Sequence, residues 1–333
     1  MLDLASGLGS SLKREARDRL HDWVREMEKA KESGGCADKR LIVRMNSPEF
    51  DPAAAMLDLE MVGILGGGIE GVAIPKVTTR TYDLIHNYVH PDHKLWAVFE
   101  LPLSLLQAPT ICLSGKYACA VIGYDGLAAG LRLPSRMVGN AGRVGPGASD
   151  CPEGRQAGHF LGQSSPLMLA ANHVLWSARA ANMSVIDGVF HDPTDTRGFR
   201  QDLQRCQALG LDGKCVIHPD QIAPTHQSFI PNPAEVAWAV QVKAEVERSA
   251  DDANPLEEML SEGLHARRAD RVLELHKMAE GERQEGEAAA SPAAEPSSTS
   301  FFREDLDSST SDNFNTIRRK SRRGKPAGHG SFP

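Results

Sequence analysis

Short apolar runs alternate with amphipathic stretches through the first 250 residues, and this alternation decides the fold class. Each run has the length and unbroken hydrophobicity of a β-strand that is buried on both faces. The intervening stretches begin at polar–proline pairs such as Asp51-Pro52 and end at glycines, as helices do. This pattern predicts parallel βαβ units. The runs are RLIVRMN (40–46), GVAIPK (71–76), LWAVFE (95–100), ACAVIGYD (118–125), MSVIDGVF (183–190) and GKCVIHP (213–219), and Leu2-Asp3-Leu4 resembles the end of another.

The polar residues at the ends of these runs favour a closed barrel over an open sheet. Each strand ends in a side chain capable of chemistry. One ring of such residues at the C-terminal edge is typical of the catalytic face of a (β/α)8 barrel. We therefore predict an α/β fold of the TIM type. The ring consists of Arg44, Lys76, Glu100, Asp125, Asp187 and His218.

Composition divides the chain into three parts. Residues 1–250 hold the barrel, with a Gly-rich insert at 136–165 that is either a functional lid or disordered. Residues 251–280 are predicted to form an additional helix. Residues 281–333, rich in Ser, Glu, Ala and Pro, are predicted to be a disordered tail, and we interpret its basic end, RRKSRRGK, as solvated.

The bulk properties limit the partners and the compartment. A net charge of −7 gives no reason to expect nucleic acid as a partner. No apolar stretch reaches the roughly 20 residues that a membrane span requires. The six cysteines form no CxxC pair, which favours a reducing compartment. The N-terminus resembles neither a secretory signal nor a transit peptide, so the location stays open between cytoplasm and mitochondrion.

Glu100 and Asp125 are the strongest candidates for chemistry. Each follows a buried run, and one strand–helix unit separates them, so in a barrel they are neighbours at the same opening. A carboxylate after so apolar a run is costly unless it is paired or metal-bound. Two oxygen ligands that leave the other positions to water and substrate suit Mg²⁺. The sequence therefore favours Mg²⁺ binding, and the alternative is that both carboxylates cap nearby helices.

Three further residues each have two interpretations. Arg44 offers the planar fork that binds a carboxylate, or it forms a structural pair with a neighbouring acid. Lys76 is an anion-binding group, or its stem lines the rim. His218 is a base or a ligand, but a histidine beside proline at a strand end is more often a hydrogen-bonded positioning group.

The motifs together resemble the HpcH/HpaI aldolase superfamily, and the branch similar to the citrate lyase beta subunit matches best. They are IVRMN, GVAIPK, the Glu100 strand, GYDGLAAGLRL, IDGVFHDPTDTRGFRQDLQRCQALGLDGKCVIHPDQI and FIPNPAEVAWA, in that order. The match runs from about residue 2 to about residue 245. The block from IDG to HPDQI is the most specific part.

The resemblance implies a (β/α)8 barrel, homo-oligomers (commonly trimers), Mg²⁺, and lyase, synthase or thioesterase chemistry on acyl-CoA substrates such as malyl-CoA or citramalyl-CoA. Carried over by position, Glu100 and Asp125 become Mg²⁺ ligands. Arg44 becomes the catalytic residue that binds the carboxylate or carbonyl end of the substrate, and Glu100 also contributes to substrate binding. The expected ligand is thus an acyl-CoA or a 2-oxo acid.

The chain departs from the family pattern in three places. The family begins with a strand ending near VPG, whereas this chain starts inside the next strand, so we expect a barrel that lacks its first strand. Where the family reads LDLED, this chain has Ala5 and Ser6 in place of the acidic pair, and Leu101 replaces a small hydroxyl residue. The acidic C-terminal lid has no clear counterpart. These departures leave two alternatives open, a 2-keto-acid aldolase that does not use CoA and a non-catalytic truncated homologue.

Overall fold

A computed structural model of the 333-residue chain describes residues 1–5, 9, 11–32, 40–133, 165–249 and 265–281. These residues all belong to one compact unit, Met1–Glu282. The predicted Gly-rich insert lies outside the described residues except for Ser165, and so does the predicted tail except for residue 281. No helix within the described ranges is long and apolar enough to cross a bilayer.

Within the described residues, seven strands form a single parallel sheet, and each pairs with the next one along the chain. Each predicted apolar run contains one strand, and Leu2-Asp3-Leu4 contains the first. The parallel pairing places the C-terminal ends of all seven strands on one edge. The strands are β1 (Leu2–Asp3), β2 (Ile42–Arg44), β3 (Gly71–Ile74), β4 (Lys94–Phe99), β5 (Cys119–Ile122), β6 (Ser184–Asp187) and β7 (Gly213–Lys214).

Helices follow most strands, and the predicted start and stop signals operate at several of them. Asp51 caps α2, since its carboxylate accepts from Ala54 N at 3.2 Å, and Ser165 caps α7 in the same way. Gly210, at φ +76°, ends α8 in the left-handed conformation that favours glycine. The helices are α1 (Leu12–Glu32), α2 (Pro52–Leu65), α3 (Thr81–Ile85), α4 (Pro102–Leu106), α5 (Ala108–Leu113), α6 (Tyr124–Gly130), α7 (Pro166–Ala180), α8 (Thr196–Leu209), α9 (Ile222–Phe229), α10 (Pro233–Ser249) and α11 (265–281).

Alternate strand residues face two different hydrophobic layers. The larger layer lies between sheet and helices and includes Val43, Val72 and Phe99. The smaller layer lines the other face of the sheet, which is the interior of the curl. It consists of Ile42, Ala73, Val98, Cys119 and Val121, with Trp96, Ile186 and Cys215 packed against them.

The sheet is curled rather than flat. Cys215 follows β7, yet its thiol lies within electrostatic range of the Met1 amino group and of Arg44, which belong to the other end of the strand order. In a flat sheet, β2 and β7 would be about 24 Å apart at the usual strand spacing. The structure therefore confirms an α/β fold built on a curled parallel sheet of seven strands.

Candidate functional site at the C-terminal edge of the sheet

The predicted site residues lie at the C-terminal edge of the sheet, after β2, β4 and β5. Arg44 is the last residue of β2, and Glu100 directly follows β4. Asp125 does not end a strand as predicted, because β5 stops at Ile122 and the chain turns into α6, whose first turn contains Asp125. Phe99 and Ile122 are paired in register, so the segments that carry Glu100 and Asp125 both begin at the same edge of the sheet.

Arg44 bridges two carboxylates across this edge. Its two terminal nitrogens lie 3.0 Å from Asp3 Oδ2 and 3.0 Å from Glu100 Oε2. The side chains of Arg44 and Glu100 are only 17% and 11% exposed. Burial raises the pKa of the Glu100 carboxyl group, while the charges of Arg44 and Lys76 oppose this shift. The ionised form of Glu100 is therefore less favoured than that of an exposed glutamate.

Two glycines allow the chain that carries Asp125 to pack directly on Glu100. A Cβ atom at Gly123 would lie 2.5 Å from Glu100 Cβ and 3.1 Å from Oε2. A Cβ atom at Gly126 would lie 2.5 Å from the Glu100 carbonyl oxygen. The β5–α6 corner therefore lies in contact with Glu100, and side chains larger than hydrogen are excluded there.

Replacing Gly126 with alanine is expected to destabilise the protein by about 1–3 kcal/mol, because the new methyl group meets backbone that cannot move easily. Gly63, which lies within α2, is the matched control because a Cβ there meets nothing within 4 Å. Gly63→Ala is expected to be neutral or stabilising by up to about 1 kcal/mol. Chemical denaturation of the two variants checks this, and equal midpoints would contradict the close contact.

Asp125 is paired with a histidine that the sequence did not bring to attention. His191 Nε2 lies 3.0 Å from Asp125 Oδ1 and 2.9 Å from Oδ2. The two side chains are 61% and 50% exposed, so solvent and ligands can reach them. His191 follows β6 at the same edge, and this placement after a buried run was the available signal. The pair adds an imidazole to the candidate site.

The candidate ligand atoms are of the type that Mg²⁺ prefers. Glu100 and Asp125 supply hard oxygen atoms at one edge, and within the described residues Glu100 Oε1 has no hydrogen-bond partner, so it is available to a cation. Among the same residues, no three His, Cys, Asp or Glu ligand atoms that include either carboxylate lie within 4.8 Å of one another. Two carboxylates with several waters and substrate oxygens are the ligand set that Mg²⁺ usually takes. Joint binding by this pair stays a prediction.

Asp187 was predicted to belong to the ring of reactive residues, but it is fully buried in an ion network beneath the site. Its Oδ2 accepts from Arg205 and Lys214, each at 2.7 Å, and its Oδ1 accepts from Tyr124 at 2.6 Å. Lys214 also lies 2.6 Å from Asp202. The positive charges of Lys214 and Arg205 offset the negative charges of Asp187 and Asp202.

The network resembles a metal site in composition only. Asp187, Asp202 and Cys206 form the one group in the described ranges with three ligand atoms within 4.8 Å. Because Lys214 and Arg205 already neutralise the carboxylates, the group has no charge left to attract a cation. It is a structural element that joins β6, β7, α6 and α8.

His218 forms a hydrogen bond within the turn that follows it, and its predicted role as a positioning group stays a prediction. Its Nδ1 accepts from Asp220 N at 3.3 Å, at the start of a short 3-10 turn, Pro219–Gln221. Lys76 lies two residues beyond β3 at the same edge as Arg44 and Glu100.

Comparison with known proteins shows which family and which relatives this chain is similar to. The family model described as HpcH/HpaI aldolase/citrate lyase matches residues 1–219. A (3S)-malyl-CoA thioesterase of Cereibacter sphaeroides is 25% identical over 268 residues, which cover 80% of this chain and 81% of the relative. The mitochondrial citramalyl-CoA lyase of Mus musculus is 25% identical over 248 residues, covering 73% and 68% of the two chains. The citrate lyase beta subunit of Escherichia coli is 26% identical over 225 residues, covering 64% and 65%.

Solved structures show the same fold. CitE from Mycobacterium tuberculosis, in complex with magnesium, acetoacetate and coenzyme A, matches with a TM-score of 0.55 at 21% identity. The match covers 83% of this chain and 88% of that protein. RipC from Yersinia pestis matches with a TM-score of 0.53 at 20% identity, over 70% and 89% of the two chains.

Proposed function

The chain belongs to the HpcH/HpaI aldolase/citrate lyase family, and on this premise we propose that it is a Mg²⁺-dependent carbon–carbon lyase. Its proposed substrate is a 3-hydroxyacyl-CoA such as malyl-CoA or citramalyl-CoA. The observation that carries the proposal is that Glu100 and Asp125 follow the adjoining strands β4 and β5, at the same edge as Arg44, where barrel enzymes bind substrate. We take the curled sheet as seven strands of a (β/α)8 barrel.

Each residue has a role in this proposal. Glu100 and Asp125 hold the ion, and Glu100 also borders the substrate. When bound, Mg²⁺ polarises the oxygens of the 2-oxo acid half and orients them. Cleavage breaks the bond between the α-carbon of the thioester and the hydroxyl-bearing carbon. The hydroxyl group loses its proton as its carbon becomes the carbonyl of the oxo acid, and the acyl-CoA half leaves as an enolate that takes up a proton to give the acyl-CoA product. In this proposal Arg44 stabilises the negative charge of the enolate, and its terminal nitrogens contact Asp3 and Glu100 at the same edge.

A direct assay tests the proposal. The purified full chain with Mg²⁺ is expected to convert malyl-CoA to acetyl-CoA and glyoxylate, or citramalyl-CoA to acetyl-CoA and pyruvate. The oxo acid is measured as its phenylhydrazone and acetyl-CoA by chromatography. Chelation by EDTA should remove the activity. A folded sample that forms no product from either substrate would argue against a lyase.

The similarity to a malyl-CoA thioesterase supports a second candidate within the same family. A thioesterase releases free CoA and the hydroxy acid from the same substrate, without forming an oxo acid. Thiol detection in the assay above separates the two reactions. Aldol activity on pyruvate and an aldehyde without CoA would identify the third candidate, a 2-keto-acid aldolase.

A non-catalytic homologue is the remaining alternative, and Ala5 is the observation that favours it. Ala5 stands where the family carries an acid, and its backbone N–H donates to Asp3 Oδ1 at 2.8 Å. Asp3 itself is kept and contacts Arg44. Mg²⁺ binding without turnover in calorimetry would identify this case. We also propose a homo-oligomer, a trimer in keeping with the family, and a cytoplasmic or mitochondrial location.

A further inference from the structure

Lys76 adopts a backbone conformation that a lysine rarely adopts. Its φ angle is +57°, in the left-handed region, and it is one of three non-glycine residues with positive φ among those described. Such a conformation costs about 1–3 kcal/mol and is commonly found where a side chain must point to a functional site. The turn is held firmly, because Val77 N donates to Val98 O at 3.4 Å and Ser104 Oγ donates to Val77 O.

The ammonium group of Lys76 has no acidic partner within the described part of the chain. Its Nζ lies 4.7 Å from the centroid of the Phe50 ring, which is itself 60% exposed at the rim. Lys76 and Arg44 are also the two cations that act most strongly on Glu100. The turn therefore presents, at the same edge as Arg44 and Glu100, a positive charge that forms no salt bridge among the described residues.

Arg44, the other cation, is already engaged. Each of its terminal nitrogens contacts a carboxylate, Asp3 or Glu100. With both acids ionised and before a cation binds, this trio carries one negative charge. Lys76 adds beside this trio a positive side chain that is not already paired with a carboxylate among the described residues.

We propose that Lys76 is the binding residue for a carboxylate of the ligand at this edge. This inference rests on the proposed function, since it names the group that holds the oxo-acid half of the substrate. The ammonium is a compact point charge that binds carboxylate by a charge-assisted hydrogen bond. A phosphate of CoA is the other anion that shares this chemistry, and the two sources require separate probes.

The test is binding of pyruvate to the full chain in saturating Mg²⁺, measured by isothermal titration calorimetry. Lys76→Met is expected to weaken pyruvate binding by about 10- to 100-fold, which corresponds to one hydrogen bond between charged groups. Lys76→Arg should recover most of the affinity. The matched control is Lys94→Met, because Lys94 begins β4 at the opposite edge and pairs with Glu70.

Two probes separate carboxylate recognition from other causes. Methyl pyruvate, which lacks the negative charge, should bind Lys76→Met as it binds the wild type, and Mg²⁺ affinity should not fall. Lys76→Gln serves in place of Lys76→Met if the latter does not fold. Adenosine 3′,5′-bisphosphate tests the phosphate source, and a loss confined to this probe would overturn the carboxylate assignment.

The outcomes distinguish this inference from the lyase proposal. Pyruvate binding that depends on Lys76 in a chain without lyase activity supports the inference and rejects the function. Lyase activity with unchanged KM and unchanged pyruvate affinity in Lys76→Met supports the function and overturns the inference. Absence of pyruvate binding to the wild type at millimolar concentration also overturns it.

Discussion

Glu100→Gln is expected to lower turnover by at least about 100-fold while leaving the folded protein no less stable. Loss of a group that only orients a metal ligand already costs about 10- to 100-fold, so loss of the ligand's charge should cost more. The stability expectation follows from the raised pKa of Glu100. Because burial disfavours the ionised form, the charge lowers stability at neutral pH, and glutamine removes that cost.

Glu70 provides the control for this substitution. It precedes β3 at the opposite edge of the sheet and pairs with Lys94 at 2.8 Å. Glu70→Gln should keep the activity of the wild type. Steady-state kinetics and thermal unfolding of the two variants check the prediction. Full activity in Glu100→Gln would show that Glu100 is not a metal ligand, and a lower unfolding temperature would contradict the expected stability.

Lys214→Met is expected to cause the largest loss of stability, about 3–5 kcal/mol. Lys214 is fully buried, and its ammonium contacts Asp187 at 2.7 Å, Asp202 at 2.6 Å and the Gly188 carbonyl at 2.8 Å. Methionine fills similar space but leaves two buried carboxylates with Arg205 alone. Lys243→Met is the control, since Lys243 forms an exposed pair with Asp270 and should have little effect.

The same network predicts how stability depends on pH. Burial raises the pKa of Asp187, but Lys214 and Arg205 outweigh it and hold the pKa at about 2, below the ordinary 3.8. The stabilisation is therefore complete above pH 3.8, and it is lost as the pH falls toward 2. It amounts to about 2 kcal/mol. Urea unfolding should show the difference between wild type and Lys214→Met narrowing across this range, and a constant difference would contradict the assignment.

The sheet could be predicted because strands buried on both faces have a simple signature. Unbroken apolar runs such as CAVI specify burial without any knowledge of partners. The residues at which the strands end were harder to predict, because local turns decide where the chain leaves a strand and enters a helix. Asp125 was assigned to a strand end for this reason, although Gly123 and Tyr124 already turn the chain into α6.

The ion network could not be predicted, because burial patterns do not identify pairing partners. Asp202 lies on the face of α8 that carries Phe199, Leu203 and Cys206, and a carboxylate on an apolar face was a usable signal. The identity of the cationic side chains that contact the Asp202 carboxylate depends on how β7 and α8 pack on β6. The predicted ring therefore contains two kinds of residue. Arg44 and Glu100 lie at the C-terminal edge of the sheet, whereas Asp187 is buried in the ion network below it.

The central claim is that Glu100 and Asp125 bind one divalent ion between them. Anomalous diffraction from crystals grown with Mn²⁺ in place of Mg²⁺ tests it most directly. We predict a single strong peak about 2.1 Å from a carboxylate oxygen of both residues. A peak that contacts only one of the two carboxylates, or a strong peak elsewhere with none at this edge, would contradict the claim.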